Sequence, residues 1–213
     1  MPTTRLFLVR HGETLLNRER RYIGLRDDAL TDVGTVQAQQ LADALAPFPL
    51  TAIYSSPLQR AYQTALPIAA RHGLDIQLLD ALCEGNFGLW EGLTREEVKS
   101  RSQHDAELQR TWVYDPTLAP PEGESLEAMQ KRVVAAIPAL LQMHPDQAIL
   151  LVTHTGPAKV LLCTALGAPI TSFTHLFLDP ATISVVDWQE PFPIVHLMNS
   201  HAHLGWPQPR WIR

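Results

Sequence analysis

Short runs of apolar and β-branched residues alternate along the chain with segments whose apolar positions recur every three or four residues. That alternation predicts an α/β protein, a sheet flanked by helices. Strands are predicted at 5–10, 52–55, 75–79, 148–153, 182–187 and 194–198. The run Ala148-Ile149-Leu150-Leu151-Val152-Thr153 is apolar without alternation, as expected of a strand buried on both faces. Helices are predicted at 32–45, 58–72, 94–109, 125–144 and 157–166. In the fourth, Leu126, Met129, Val133, Ile137 and Leu140 mark one buried face, and Pro138 is expected to kink it by removing a hydrogen bond.

Composition narrows the class. At 213 residues the chain suits one domain, 1–213, with a substantial core, and 46% hydrophobic with 18% charged residues fits a soluble globular protein. A net charge of -5 argues against a nucleic-acid partner, which needs a basic face. Cys83 and Cys163 are too few for a disulfide framework and lack metal-ligand spacing, so both read as reduced, buried thiols. The first residues lead into a strand with no secretory signal, and no apolar run nears the roughly 20 residues that span a bilayer. The expectation is a cytoplasmic protein without a membrane partner.

The chemistry is concentrated where the first strand ends. Leu6-Phe7-Leu8-Val9 runs into Arg10-His11-Gly12-Glu13-Thr14, placing a guanidinium beside an imidazole at a strand's carboxyl end, where open α/β sheets bind ligands. Arg holds phosphoryl oxygens by paired hydrogen bonds, and a neutral His nitrogen attacks phosphorus. Arg60 follows Ser55-Ser56-Pro57, where a strand gives way to a helix, and is directed back toward the same edge. His154 ends the buried strand and emerges beside His11 if the two strands are parallel. Asn17 and Thr14 offer an amide and a hydroxyl to the same oxygens, or serve as helix-start residues with local backbone bonds. Gly156 and Pro157 open a helix whose N-terminal dipole favours an anion if aimed inward.

Further segments follow in order: Gly24, Asp28, Leu30-Thr31, Gly34 and Gln37-Ala38; Ser55 through Ala65; Glu84-Gly85-Asn86-Phe87-Gly88-Leu89-Trp90-Glu91-Gly92; Gly123-Glu124-Ser125-Leu126; and Val152-Thr153-His154. With Arg10-His11-Gly12 they resemble the histidine phosphatase superfamily, the phosphoglycerate-mutase-like group, over nearly the whole chain. The resemblance implies a three-layer α/β/α sandwich with a mostly parallel sheet. It implies a metal-independent phosphatase acting on a small phosphomonoester through a phosphohistidine on His11. Arg10 and Arg60 would clamp the phosphoryl group, His154 would hydrogen-bond it, and Glu84 would donate the leaving-group proton and then activate water. Thr14, Asn17, Ile23, Gly24, Thr155 and Gly156 are the expected substrate-binding residues. No metal or cofactor is needed, the partner is a small phosphorylated metabolite, and a homodimer is compatible because relatives often dimerise.

Several alternatives stay open. Glu91 competes with Glu84 as the carboxylate, or stabilises a loop. Segment 112–123 is either a lid bordering the substrate pocket, with Trp112 and Tyr114 as selectors, or a proline-stiffened cover. His72, His104 and His144 read as solvated, and His201-Ala202-His203 as packing rather than a metal site, since a third ligand is lacking. Thr155 stands where the family often has a second glycine, and Ile23 where relatives often carry a polar residue. Without the insertion and the Tyr-Gly-Gly-Leu-Asn-type stretch after the acid that mark the cofactor-dependent mutases, phosphatase ranks above phosphoglycerate mutase, with a non-catalytic phospholigand binder third.

Overall fold

The computed structural model describes residues 2–205 other than Val113 and Glu190. Among them one sheet contains β1 (Thr4–Arg10), β2 (Leu50–Ser55), β3 (Ile76–Leu78), β4 (Ala148–Thr153), β5 (Ile183–Trp188) and β6 (Ile194–Ser200). The spatial order is β3-β2-β4-β1-β5-β6. The first four in that order run parallel, β5 is antiparallel to β1, and β6 to β5. The helices are α1 (Leu15–Arg18), α2 (Asp32–Leu45), α3 (Gln59–His72), α4 (Arg95–Arg101), α5 (Gln103–Thr111), α6 (Leu126–Ala135), α7 (Ile137–Met143) and α8 (Thr155–Ala165). None of them is long and apolar enough to cross a membrane.

Alternate side chains of a strand point to opposite layers, and both layers are apolar. Leu6, Leu8, Ile149 and Leu151 pack against α6, α7 and α8 through Met129, Val133, Ile137 and Leu161. Phe7, Val9, Leu150 and Val152 pack against α2 and α3 through Leu41, Leu45, Ala65 and Ile68. The unbroken apolar run of β4 therefore serves two cores at once, and each fully buried aliphatic side chain contributes about 1.5–3 kcal/mol of transfer free energy. The result is a three-layer α/β/α sandwich with a mostly parallel sheet, as the sequence predicts.

Two predicted helices are each divided. The helix expected over 94–109 breaks at Ser102, which is extended (φ -164, ψ 161) and caps α5 by accepting from the Asp105 N–H at 3.0 Å. A serine hydroxyl competing for backbone groups ends a helix that apolar periodicity alone would continue. The helix expected over 125–144 parts at Ala136 into α6 and α7, because Pro138 has no N–H to carry the ladder through.

Register places the site. Arg10 pairs with Thr153, and the His11 N–H donates to the Thr153 carbonyl at 2.9 Å, so the residues after β1 and β4 leave the sheet side by side. On the other side of β4, the Ser56 N–H donates to the Val152 carbonyl at 3.0 Å. Three strands thus deliver His11, His154 and Ser56 to one edge.

Above that edge sits a third, smaller core. Trp90, Val98 and Trp112 are its buried members, with Tyr22, Phe87, Leu93 and Leu108 packed around them. Trp90 Nε1 donates to the buried Asp105 carboxylate at 2.8 Å, which satisfies the indole and fixes α5 beneath it.

Candidate active site

His11 is the first residue past β1 and is almost wholly buried. Its Nδ1 lies 2.7 Å from the Gly12 carbonyl. A carbonyl only accepts, so Nδ1 carries the hydrogen and Nε2 keeps its lone pair. Burial, then the charges of Arg60 and Arg10, hold its pKa well below the ordinary histidine value, so the ring is neutral at pH 7.

His154 precedes α8 and is fully buried, its ring centroid 5.0 Å from that of His11. Its Nε2 is 2.8 Å from Ser56 Oγ, which also lies 3.7 Å from Cys83 Sγ. Ser56 Oγ thus occupies His154 Nε2. Nδ1 is left as a buried nitrogen without a partner among the described residues. Burial, followed by Arg60, His11 and Arg10, also pushes this pKa well below the ordinary value.

Arg60, in the first turn of α3, is 0% exposed. It donates to the carbonyls of Arg26 at 2.7 Å and Gly24 at 2.8 Å and pairs with Asp28 at 3.2 Å. These bonds fix the plane of the guanidinium, and Gly24 adopts φ 60, a left-handed conformation that glycine takes without strain. Arg10, the last residue of β1, donates to the Leu178 carbonyl at 2.6 Å.

Glu84 is 9% exposed, and its Oε1 accepts from the backbone N–H groups of Gly85 and Gly156, both at 3.0 Å. A Cβ on Gly156 would collide with that oxygen and with Met129 Sδ, so this position has room only for glycine. The departure at Thr155 leaves the cradle intact because Gly156 is the residue whose N–H bonds the carboxylate.

Asn17, Ile23 and Thr155 join Arg10, His11, Gly24, Arg60 and Glu84 around one cavity of ≈ 180 Å³. Of the other predicted residues, Gly156 lies beneath Glu84 and His154 beside His11. Thr14 is fully buried and is spent on local structure: its hydroxyl caps α1 by accepting from the Asn17 N–H at 3.3 Å. In return the Thr14 N–H and Oγ1–H donate to Asn17 Oδ1 at 3.1 and 3.2 Å, which leaves the Asn17 amide NH₂ as a donor. The local and the ligand-facing readings of this pair are thus compatible.

Sequence reasoning missed Arg21, Tyr22 and Phe87, which complete the cavity wall. The basic run 18–21 ahead of Gly24 was a usable signal for Arg21; nothing in sequence joins positions 22 and 87. It also missed Arg132 of α6, which pairs with Glu124 through two bonds (3.0 and 2.8 Å) and donates to the carbonyls of Ala81 and Cys83 at 2.8 and 3.1 Å. Arg132 thereby fixes the segment that presents Glu84. Glu91 is a loop brace, its Oε1 accepting from the N–H groups of Leu25 at 2.7 Å and Phe87 at 3.2 Å.

Readings of the segment after α5, of two histidines and of Cys83 are corrected. Trp112 is buried, its ring edge-on to Trp90 at 5.9 Å, and Tyr114 is 70% exposed; neither lines the cavity. His72 and His144 are hydrogen-bonded rather than simply solvated, His72 to the carbonyls of Ile68 and Phe48, His144 to Tyr54 and Gln147. Cys83 is only partly buried. His203 bonds the Ala181 carbonyl at 2.9 Å, and no group of three or more potential ligands among the described residues is placed to hold a metal.

A family model described as histidine phosphatase superfamily (branch 1) matches residues 6–201. The chain is 38% identical over 203 residues to "Bifunctional protein Rv2228c" of Mycobacterium tuberculosis, covering 94% of this chain but 55%, about half, of that longer protein. It is 36% identical over 202 residues to "Phosphoserine phosphatase 1" of Hydrogenobacter thermophilus, covering 94% of each. A solved mycobacterial glucosyl-3-phosphoglycerate phosphatase complexed with VO3 superposes with a TM-score of 0.83 at 28% identity, covering 92% of this chain and 99% of that one.

Proposed function

The chain belongs to the histidine phosphatase superfamily, branch 1, and on that premise we propose that it is a metal-independent phosphatase of small phosphomonoesters, working through a phosphohistidine on His11. The observation that carries this reading is the tautomer of His11: Nδ1–H is tied to Gly12, leaving a neutral Nε2 lone pair in a cavity lined by the arginines Arg10, Arg21 and Arg60 and one carboxyl, Glu84.

In the first step the Nε2 lone pair attacks phosphorus, the bond from phosphorus to the ester oxygen breaks, and Glu84 gives its proton to the departing oxygen. Arg10 and Arg60 hold the non-bridging oxygens as charge shifts onto them, and the Asn17 amide adds a donor. In the second step water attacks the phosphohistidine, Glu84 takes a proton from it, and the P–N bond returns its electrons to Nε2, releasing inorganic phosphate. His154 bonds the phosphoryl group through Nδ1, because its Nε2 is engaged by Ser56. With Ser56 Oγ donating to Nε2, the neutral ring carries its hydrogen on Nδ1 and donates it to a phosphoryl oxygen.

The partner is a small phosphorylated metabolite, met in the cytoplasm without nucleic acid or membrane, and a homodimer is compatible with this reading. His11→Ala should reduce turnover of an aryl phosphate by about 10³-fold or more, with the melting temperature little changed. Wild-type rates in that variant would remove the mechanism. Phosphate release measured against interconversion of 2- and 3-phosphoglycerate separates a phosphatase from a mutase.

A further inference from the structure

Beside the phosphoryl cavity lies a second one of ≈ 530 Å³ that shares Arg10 and Asn17 with it and is also lined by Arg18, Arg20, Phe177 and Asp179. Its walls hold an unusual pair of groups. Asp179 is 7% exposed, and its Oδ2 is buried with no hydrogen-bond partner among the described residues. Its backbone is fixed: the Asp179 N–H donates to Asn199 Oδ1 at 2.8 Å and its carbonyl accepts from Thr182 Oγ1 at 2.8 Å. The segment is also tethered to the nucleophile's strand on both sides, by Arg10 to the Leu178 carbonyl at 2.6 Å and by the Ala181 N–H to the His11 carbonyl at 3.0 Å. Asp179 lines the cavity, and a carboxylate oxygen withdrawn from water without a donor carries a cost that a donor entering beside it offsets.

The second group is Arg20. It is exposed at the cavity rim, and no hydrogen bond or ion pair engages its side chain among the described residues, whereas neighbouring Arg18 pairs with Glu13 at 2.7 Å. Its backbone sits at φ 57, a left-handed conformation that a residue with a long side chain rarely adopts and that clusters at ligand sites.

We propose that this second cavity receives the leaving group and recognises it as a zwitterion, with Asp179 accepting an ammonium and Arg20 binding a carboxylate. The favoured substrate class is then a free hydroxy-amino acid carrying a phosphate on its hydroxyl. A residue within a peptide lacks the ammonium that Asp179 requires. The proposal rests on the phosphatase reading above and deepens it by assigning the far end of the substrate.

O-Phosphoserine and 3-phosphoglycerate share a carbon skeleton and differ in carrying an ammonium or a hydroxyl beside the carboxylate, so their ratio of kcat/KM isolates Asp179. Phosphoethanolamine keeps the ammonium and lacks the carboxylate, so its ratio to phosphoserine isolates Arg20. Purified wild-type protein should favour phosphoserine over 3-phosphoglycerate by at least about tenfold, and Asp179→Asn should collapse that preference. Arg20→Ala, on the exposed rim, should lower phosphoserine relative to phosphoethanolamine by about tenfold, and it keeps the test open should the Asp179 variant misfold. Turnover of an aryl phosphate with both ratios unmoved by the variants overturns the subsite alone. Absence of turnover on every phosphomonoester, the aryl phosphate included, overturns the phosphatase reading and the subsite with it.

Discussion

The sheet edge carrying His11 and His154 and the aromatic cap of Tyr22, Phe87, Trp90 and Trp112 meet at one small cavity, lined by His11 from the edge and by Tyr22 and Phe87 from the cap, and they are built in opposite ways. At the edge, main-chain register does the placing: parallel pairing of β1 with β4 puts the two imidazoles side by side whatever surrounds them. In the cap no strand is involved. Tyr22 meets Phe87 at 5.1 Å and Trp90 at 5.7 Å, and Phe87 meets Trp112 at 5.9 Å, so beyond two main-chain bonds from Tyr22 to Gly92 and Leu93 its shape depends on side-chain packing between distant segments. Packing tolerates volume changes that register does not. The edge is therefore suited to fixed chemistry and the cap to varied selection.

The sharpest way to break the edge without touching a reacting atom is Gly156→Ala. Its Cβ would land on the carboxylate oxygen of Glu84, the proposed acid, and on Met129. We expect kcat to fall about 10²-fold with the aryl phosphate, on the scale of losing a positioned general acid, and stability to fall by about 1–3 kcal/mol from overpacking. Stopped-flow burst kinetics and a denaturant melt measure the two. Unchanged kcat would mean that the Glu84 carboxyl is not held by this backbone donor during turnover.

Phe87→Ala attacks the cap instead. Losing an aromatic packed between Tyr22 and Trp112 should destabilise by about 1–3 kcal/mol, and KM should rise severalfold while kcat changes less. A fall in kcat as large as that of Gly156→Ala, with KM constant, would erase the distinction between the two regions.

The same division governs what the sequence revealed. Arg10, His11 and His154 flank predicted strands, and strand ends converge by topology, so their meeting could be inferred from the pattern. Arg60 could be placed because a strand-to-helix turn precedes it. Tyr22 and Phe87 could not, because ring contacts and an isolated main-chain bridge between distant loops, Tyr22 to Gly92 and Leu93, leave no periodic trace. For Trp112 the sequence leaves two readings open, selector or cover, because an aromatic in an irregular, proline-rich segment suits either. Its burial against Trp90 shows it to be core of the cap. The break at Ser102 was invisible to apolar periodicity, since it is a hydrogen bond to Asp105 that ends the helix.

Acid sensitivity should report on the edge more than on the cap. His11 and His154 both have folded-state pKa values depressed by burial and nearby arginines. Above the unfolded value of about 6.5 both states are neutral and the depression costs nothing. As pH falls below that value the unfolded chain takes up protons that the folded one refuses, so stability declines steadily toward the folded-state pKa. Melting temperature should therefore fall between pH 6.5 and 5, and His154→Gln should flatten that slope. Saturating inorganic phosphate should raise the melting temperature by mass action. A slope identical in wild type and variant would locate the acid sensitivity elsewhere.

The smallest effect is expected at Tyr114, and it tests where the cap ends. Tyr114 is two residues beyond Trp112, yet it is 70% exposed, whereas Trp112 is 9% exposed inside the aromatic core. Surface substitutions of this kind change stability by about 0.5 kcal/mol or less, so Tyr114→Ala should leave stability and the KM for an aryl phosphate within twofold of wild type. Trp112→Ala should lose about 3 kcal/mol by opening a cavity next to Trp90. If Tyr114→Ala instead raised KM as far as Phe87→Ala does, the segment after α5 would close over bound substrate, and the cap would be a moving lid rather than a packed wall.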